Sequence, residues 1–246
     1  MSRLTRRQQA DALVQRHYFD RGWLHAYRRF EQMLRQGVAA GDRVADIGCG
    51  RNFPLAGLLQ NCGTVAVGID PQADPAAAPP GAAVRRGSAD AIPAEAGEFD
   101  TIVCRCVLEH LPRPADALAE FARVLAPGGR VLFLTPNLYD YVSVLAAVIP
   151  NALHGPIVRW SEGRDEADTF PTYYRANTQR RIRRLASAAG LEVRRLEYAN
   201  NYPSSLMFSP LLCRAGIAYD HLVTSVKSLN WLQAWLMGEM VKTSTE

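Results

Sequence analysis

An α/β fold built on a parallel sheet is the architecture this sequence predicts, and three observations predict it. Short apolar runs recur as strand candidates: Arg43–Ile47, Thr64–Ile69, Ala82–Arg86, Phe99–Cys104 and Arg130–Thr135. Helical stretches separate several of them, notably Pro54–Asn61 and Pro114–Leu125. The first strand also runs directly into a glycine pair, Gly48 and Gly50, where open α/β sheets place their ligands.

The N-terminal residues 8–36 carry Leu13, Tyr18, Trp23, Tyr27, Phe30 and Leu34 at helical spacing, with Gly22 dividing two helices. After Asp70-Pro71, the Ala- and Pro-rich Ala73–Gly81 predicts a loop with at most one short helix. In the helix at Pro114–Leu125 the buried stripe is Ala117, Leu118, Phe121, Val124 and Leu125, and Pro127-Gly128-Gly129 is read as the turn into the fifth strand. Residues 137–176 lose any clean period and read as an insertion. Thr178 or Asn177 caps a helix that Gly190 closes, and Leu191–Tyr198 is a further strand. The apolar remainder, Ser204–Val241, is expected to be helical, to cover the sheet as a cap, and to end in a short edge strand.

The chain has 246 residues, is 48% hydrophobic and 21% charged, and carries a formal net charge of +4. That composition supports a sizeable core, and the charge is too small to argue for nucleic acid. Arg180, Arg181, Arg183 and Arg184, with Arg194 and Arg195, read as a solvated basic face, since no aromatics interleave them. No apolar run is long enough to span a bilayer, and no signal-peptide pattern opens the chain, so a cytoplasmic protein is expected. Peripheral membrane contact stays open, as does the choice of monomer or homodimer. The five cysteines are unevenly spaced and fit reduced thiols; Cys104-x-Cys106 is read as strand packing with no metal.

Asp46-Ile47-Gly48-Cys49-Gly50 lets the backbone approach a ligand closely. A dinucleotide loop would place its third glycine where Phe53 stands, which argues against NAD or FAD. Asp70 at the end of the second strand offers acceptor oxygens to two ribose hydroxyls, and Asp90, after the third, suits an adenine amino group. Asn52 is expected to take the left-handed turn position and reach the ligand.

In order and spacing, VADIGCG, GID, GSADAIP, FDTIVCRCVLEHLPRP and FARVLAPGGRVLFLTPN resemble the class I S-adenosylmethionine-dependent methyltransferases, over about residues 43–137. They look most like the small-molecule branch that includes ubiquinone- and menaquinone-biosynthesis enzymes. The resemblance implies a Rossmann-like, doubly wound, mostly parallel seven-stranded sheet with helices on both faces and an inserted or C-terminal helical cap. It implies S-adenosylmethionine as cofactor and S-adenosylhomocysteine as product. Asp46, Gly48, Cys49, Gly50 and Asn52 would hold the methionine end, Asp70 and Pro71 the ribose. Ala89, Asp90 and Ala91 would meet the adenine, with Arg105 and Cys106 lining the wall.

The implied organisation is an N-terminal helical lid (1–40), a cofactor-binding core (41–137), a substrate-side insertion (138–176) and a C-terminal completion with an apolar cap (177–246). Methyl transfer needs alignment and exclusion of water, and a base only where the nucleophile must lose a proton. Candidates for the chemistry are His110, Tyr173 and Asp165; candidates for acceptor contact are Tyr18, His154, Tyr174 and Arg175. Tyr18, Phe19 and Trp23 form either a lid or a core stripe. The expected reaction is O-methylation of a small secondary metabolite, sugar or lipid-like acceptor. N- or C-methylation, RNA methylation, and a non-catalytic cofactor-binding subunit are the alternatives.

Overall fold

The structure is a computed structural model that describes residues 4–148 and 170–243. Its strands are β1 (Arg43–Ile47), β2 (Val65–Asp70), β3 (Ala83–Arg86), β4 (Phe99–Arg105), β5 (Leu125–Pro136), β6 (Leu191–Ala199) and β7 (Trp235–Lys242). The helices used below are α1 (Arg6–His17), α2 (Ala26–Gly37), α3 (Ala56–Asn61), α4 (Pro114–Val124), α5 (Tyr141–Val148), α6 (Gln179–Ala188) and α7 (Pro210–Ser225).

All seven strands form one sheet in the order β3-β2-β1-β4-β5-β7-β6. β1 pairs in parallel with both β2 and β4, β2 with β3, and β4 with β5. The chain therefore builds outward from β1 in one direction and then restarts on its other side at β4. This reversal opens a crevice beyond the carboxyl ends of β1 and β4, where α/β sheets bind ligands. Registry brings the ends together: Ile47 faces Ile69 and Cys104, and Asp70 faces Arg86.

Burial explains which runs became strands. β1, β2 and β4 are almost wholly buried, as expected where helices cover both faces of a parallel sheet. β3 lies at an edge, is short, and is partly exposed. β7 departs from the expected edge strand, because it lies inside the sheet between β5 and β6. Adjacent Leu236 and Met237 are both buried, so both faces of β7 are covered, as an interior position requires. β5 begins at Leu125 instead of Arg130; its glycines form an irregularity within the strand, where the register with β4 shifts between Phe99 and Thr101.

Contacts divide the chain into two compact units. One comprises Phe30–Thr135, Tyr173–Glu197 and Leu236–Glu246 and contains most of the sheet. Its core includes Phe30, Leu34, Phe99, Phe121 and Phe133, each at most 1% exposed. Burying such side chains contributes about 1.5–3 kcal/mol apiece.

The other unit comprises Met1–Arg29, Pro136–Thr172 and Tyr198–Trp235. Here α1 packs on α7 through Ala10, Val14, Tyr18, Cys213 and Ile217. A reciprocal cap of Thr5 and Gln8 starts α1; Ser209 and Pro210 start α7. The aperiodic insertion contains a helix the sequence reading missed, α5, whose side chain at Asp140 accepts from Val142 N–H as it begins. Among the described residues, no helix is long and apolar enough to cross a membrane.

Candidate active site

The loop after β1 is shaped by two close approaches. Gly48 adopts φ +76°, and a Cβ there would lie 2.2 Å from Val107 Cγ2. Gly68, in the neighbouring strand, would place a Cβ 2.7 Å from Cys49 Sγ and 2.9 Å from Phe53 Cδ1. Two side chains of the loop thus pack into space that only glycine leaves. The left-handed residue near the end of the loop is Phe53 (φ +39°), and Asn52 is not among the positive-φ residues. This corrects the expectation for Asn52. A buried ring, 2% exposed, stabilises a backbone geometry that Asn52 was expected to tolerate, while Asn52 itself is exposed.

Gly50 N–H donates to Asp70 Oδ2 at 3.0 Å, and Gln72 N–H donates to Asp70 Oδ1 at 2.7 Å. Asp70 is 8% exposed and joins the ends of β1 and β2. Each of its oxygens retains further acceptor capacity, so a vicinal diol with two hydroxyl donors fits it. Pro71, exposed beside it, has its carbonyl held by Arg86 Nε at 2.9 Å. Asp46 is 2% exposed at the end of β1. Burial raises its pKa to about 7; the Arg105 charge opposes this, and the Asp70 charge adds to it. Cys49 is buried, its thiol pushed up to about 12 mainly by burial, so it is no nucleophile near neutral pH.

After β3, Ser88 Oγ donates to Asp90 Oδ1 at 2.7 Å and Arg113 donates to Oδ2 at 3.3 Å. The serine bond chiefly holds the Asp90 carboxyl below its ordinary range, and Arg113 adds to it. Ala89 beneath is buried, and Ala91 N–H returns to the Ser88 carbonyl at 3.1 Å. Ionised, Asp90 suits an amino-group donor. Arg105 closes β4, and Cys106 takes φ +59° with its N–H donated to the Leu134 carbonyl at 2.8 Å. The cofactor-side residues named from sequence therefore surround the carboxyl ends of β1 to β4.

The loop after β4 contains an arrangement that the sequence reading missed. Glu109 is 4% exposed; Thr135 Oγ1 donates to its Oε2 at 2.9 Å, and Asn177 Nδ2 donates to Thr135 Oγ1 at 2.7 Å. Tyr173 N–H and Tyr174 N–H both donate to the Glu109 carbonyl, at 2.8 and 3.2 Å. Burial drives the Glu109 carboxyl above its ordinary range despite the neighbouring imidazole. His110 stands beside it, Nε2 3.9 Å from Glu109 Oε1, with 30% of its side chain exposed. The signal available in sequence was the acid's place between Leu108 and Leu111, both buried.

The remaining candidates separate. Tyr173 is 43% exposed with the Arg175 guanidinium 5.6 Å from its ring centre, and Arg175 also donates to the Pro112 carbonyl. Tyr174 takes φ +51° and its carbonyl accepts from Arg181 at 2.9 Å. These residues and His110 therefore flank Glu109. Tyr18 belongs to the other unit, is 2% exposed, and donates to Asp220 Oδ2 at 2.6 Å. Asp165 and His154 lie outside the described residues. Among those described, no cluster of three or more His, Cys, Asp or Glu side chains forms a metal-binding group.

A family model described as a methyltransferase domain matches residues 15–196. Among curated proteins, the chain is similar to the ubiquinone biosynthesis O-methyltransferase of Methylococcus capsulatus, at 36% identity over 136 residues, covering 51% of this chain and 57% of that protein. It is also 36% identical over 130 residues to the enzyme of that name from Aromatoleum aromaticum, covering 49% of this chain and 55% of the relative. The chain thus spans little more than half the length of these curated relatives.

Among solved structures, the YcgJ protein of Bacillus subtilis aligns at a TM-score of 0.56 and 17% identity, covering 89% of this chain and all of that one. An S-adenosylmethionine-dependent methyltransferase from Mesorhizobium loti aligns at 0.52 and 15% identity, covering 85% and 96%. At such identities these likenesses speak to the fold.

Proposed function

The chain belongs to the methyltransferase-domain family, with S-adenosylmethionine as its cofactor, and we propose that it methylates a hydroxyl oxygen of a small molecule. The observation that carries this reading is the Asp70 clamp, a buried carboxylate at the end of β2 that holds the Gly50 amide and keeps acceptor capacity for a ribose diol. The choice of oxygen is supported by the O-methyltransferase relatives; the acceptor we assign is the hydroxyl of a secondary metabolite, sugar or lipid-like compound.

S-adenosylmethionine supplies a methyl carbon already activated by its sulfonium. The protein's task is to bind, align and exclude water. In our assignment Asp70 takes the ribose, Asp90 the adenine amino group, and the Gly48–Gly50 backbone the methionine portion. Val107 covers Gly48 and fixes the loop's path. His110 accepts the hydroxyl proton as the oxygen attacks, and Glu109 orients the imidazole from below. Tyr173 and Arg175 contact the acceptor.

We place the enzyme in the cytoplasm as a monomer or homodimer, a setting that the free thiols of Cys49, Cys62, Cys104 and Cys213 suit. Calorimetry with S-adenosylhomocysteine tests the cofactor, and methyl-labelled S-adenosylmethionine offered with hydroxylated small molecules tests the reaction. Label in RNA or on nitrogen would replace the acceptor assignment. Binding with no transfer to any acceptor would favour a partner subunit instead.

A further inference from the structure

Helix α7 is apolar on two opposite faces; among the described residues the inner face is packed and the outer one is exposed. Cys213, Gly216, Ile217, Asp220 and Val223 are buried on the inner side, packed in the unit that α1 shares. On the outer side, Leu211, Ala215, Ala218 and Leu222 recur at the i, i+4, i+7, i+11 spacing of a single stripe. Leu211 is 76% exposed and Leu222 51%; Phe208 and Leu212, at the amino end, are 43% and 41% exposed. A contiguous exposed apolar stripe marks a surface that meets something apolar.

The exposed charges of residues 208–231 are of one sign. Of the three formally charged residues in 208–231, Arg214 and Lys227 are exposed, while Asp220 is buried and accepts from Tyr18 Oη. On α1, packed alongside, Arg6, Arg7 and Arg16 are exposed, and the helix's one acid, Asp11, pairs with Arg7 at 3.4 Å. A second copy seated on this stripe by two-fold symmetry would offer no exposed acid of its own α7 to Arg214 and Lys227. An anionic lipid surface meets both features, because it accepts the apolar stripe and attracts the cations at its border.

We propose that α7 docks the protein on an anionic lipid bilayer, its Leu211–Leu222 stripe entering the interface and Arg214 and Lys227 meeting the headgroups. The contact is peripheral and stands apart from the methyl-transfer reading, so either is able to fail alone.

Co-sedimentation of the full chain with vesicles tests it. Binding is expected to vesicles of equimolar phosphatidylglycerol and phosphatidylcholine, to weaken in salt, and to be slight on phosphatidylcholine alone. Leu211→Gln with Leu222→Gln should lower partitioning roughly tenfold or more, and Arg214→Glu should weaken it on the anionic vesicles only. Both variants change exposed side chains, and an unchanged affinity for S-adenosylhomocysteine together with an unchanged thermal midpoint confirms their fold. Absence of sedimentation by the parent chain overturns the proposal. So does a concentration-dependent dimer that the double leucine variant dissociates while vesicles bind neither form.

Discussion

Gly50 N–H donates to Asp70 Oδ2 at 3.0 Å across twenty residues of sequence, tying the glycine loop of β1 to the end of β2. The same carboxylate receives Gln72 N–H, so Asp70 both builds the loop and faces the proposed ribose position. Replacing it has two consequences that separate experimentally. Asp70→Ala removes a charge-assisted acceptor and should weaken S-adenosylhomocysteine binding by about 1–3 kcal/mol, roughly 5- to 150-fold. Asp70→Asn keeps one oxygen for the loop and should lie between the two. Calorimetry on both variants reads this directly, and an affinity equal to the parent's would remove Asp70 from the site.

The two loop glycines should respond differently to a methyl group. At Gly48 the left-handed backbone and the 2.2 Å approach to Val107 act together; at Gly50 (φ +66°) a Cβ meets nothing within 4 Å. Gly50→Ala should therefore lose only about 1–2 kcal/mol from backbone conformation, and Gly48→Ala more. Adding Val107→Ala to Gly48→Ala should recover part of the difference by clearing the contact. Urea melts of the four proteins supply the comparison. Equal losses at the two glycines, with no recovery, would contradict the packing argument.

Three buried aspartates set a pH dependence whose sign follows from burial. Asp46 and Asp220 are raised to about 7 and Asp140 to about 6, each chiefly by desolvation. A carboxyl with a raised folded-state pKa favours folding below its unfolded value, and that contribution is lost as pH rises through the folded value. Stability of the cofactor-free protein should thus fall between about pH 4 and about pH 7, by about 1.4 kcal/mol per pH unit for each group titrating. Asp46→Asn, with no charge to desolvate, should flatten that decline. Calorimetric melts across the range test it; a parental slope in Asp46→Asn would mean that Asp46 is ionised throughout.

Much of this was readable in the sequence where local rules act. The buried runs that became β1, β2 and β4, the cap at Thr178, and the loop at Ala73–Gly81 needed no long-range information. β7 was misplaced because strand order is set by packing between distant segments, here Gly238 lying against the Arg195 carbonyl. Asn52 misled because propensity favours asparagine in left-handed turns, whereas the core void beside Gly68 selected a phenylalanine ring. α5 stayed hidden in an irregular composition. The bond from Asn177 through Thr135 to Glu109 joins three segments that no spacing rule connects.

That last chain of bonds is itself testable. Thr135 is completely buried, donates to Glu109 Oε2 at 2.9 Å and accepts from Asn177 Nδ2 at 2.7 Å. Thr135→Val preserves the shape of the side chain and removes both bonds inside the core. The expected loss is about 1–3 kcal/mol, or several degrees in the thermal midpoint for a chain of this size. Glu109→Gln should be milder, because an amide oxygen still accepts from Thr135 and burial already disfavours the carboxylate. It should also reduce the decline in stability with rising pH, since one raised carboxyl has been removed. If Thr135→Val melts with the parent while Glu109→Gln falls steeply, the hydroxyl link contributes nothing. The buried acid would then be held by its charge alone, a result at odds with the raised pKa its burial produces.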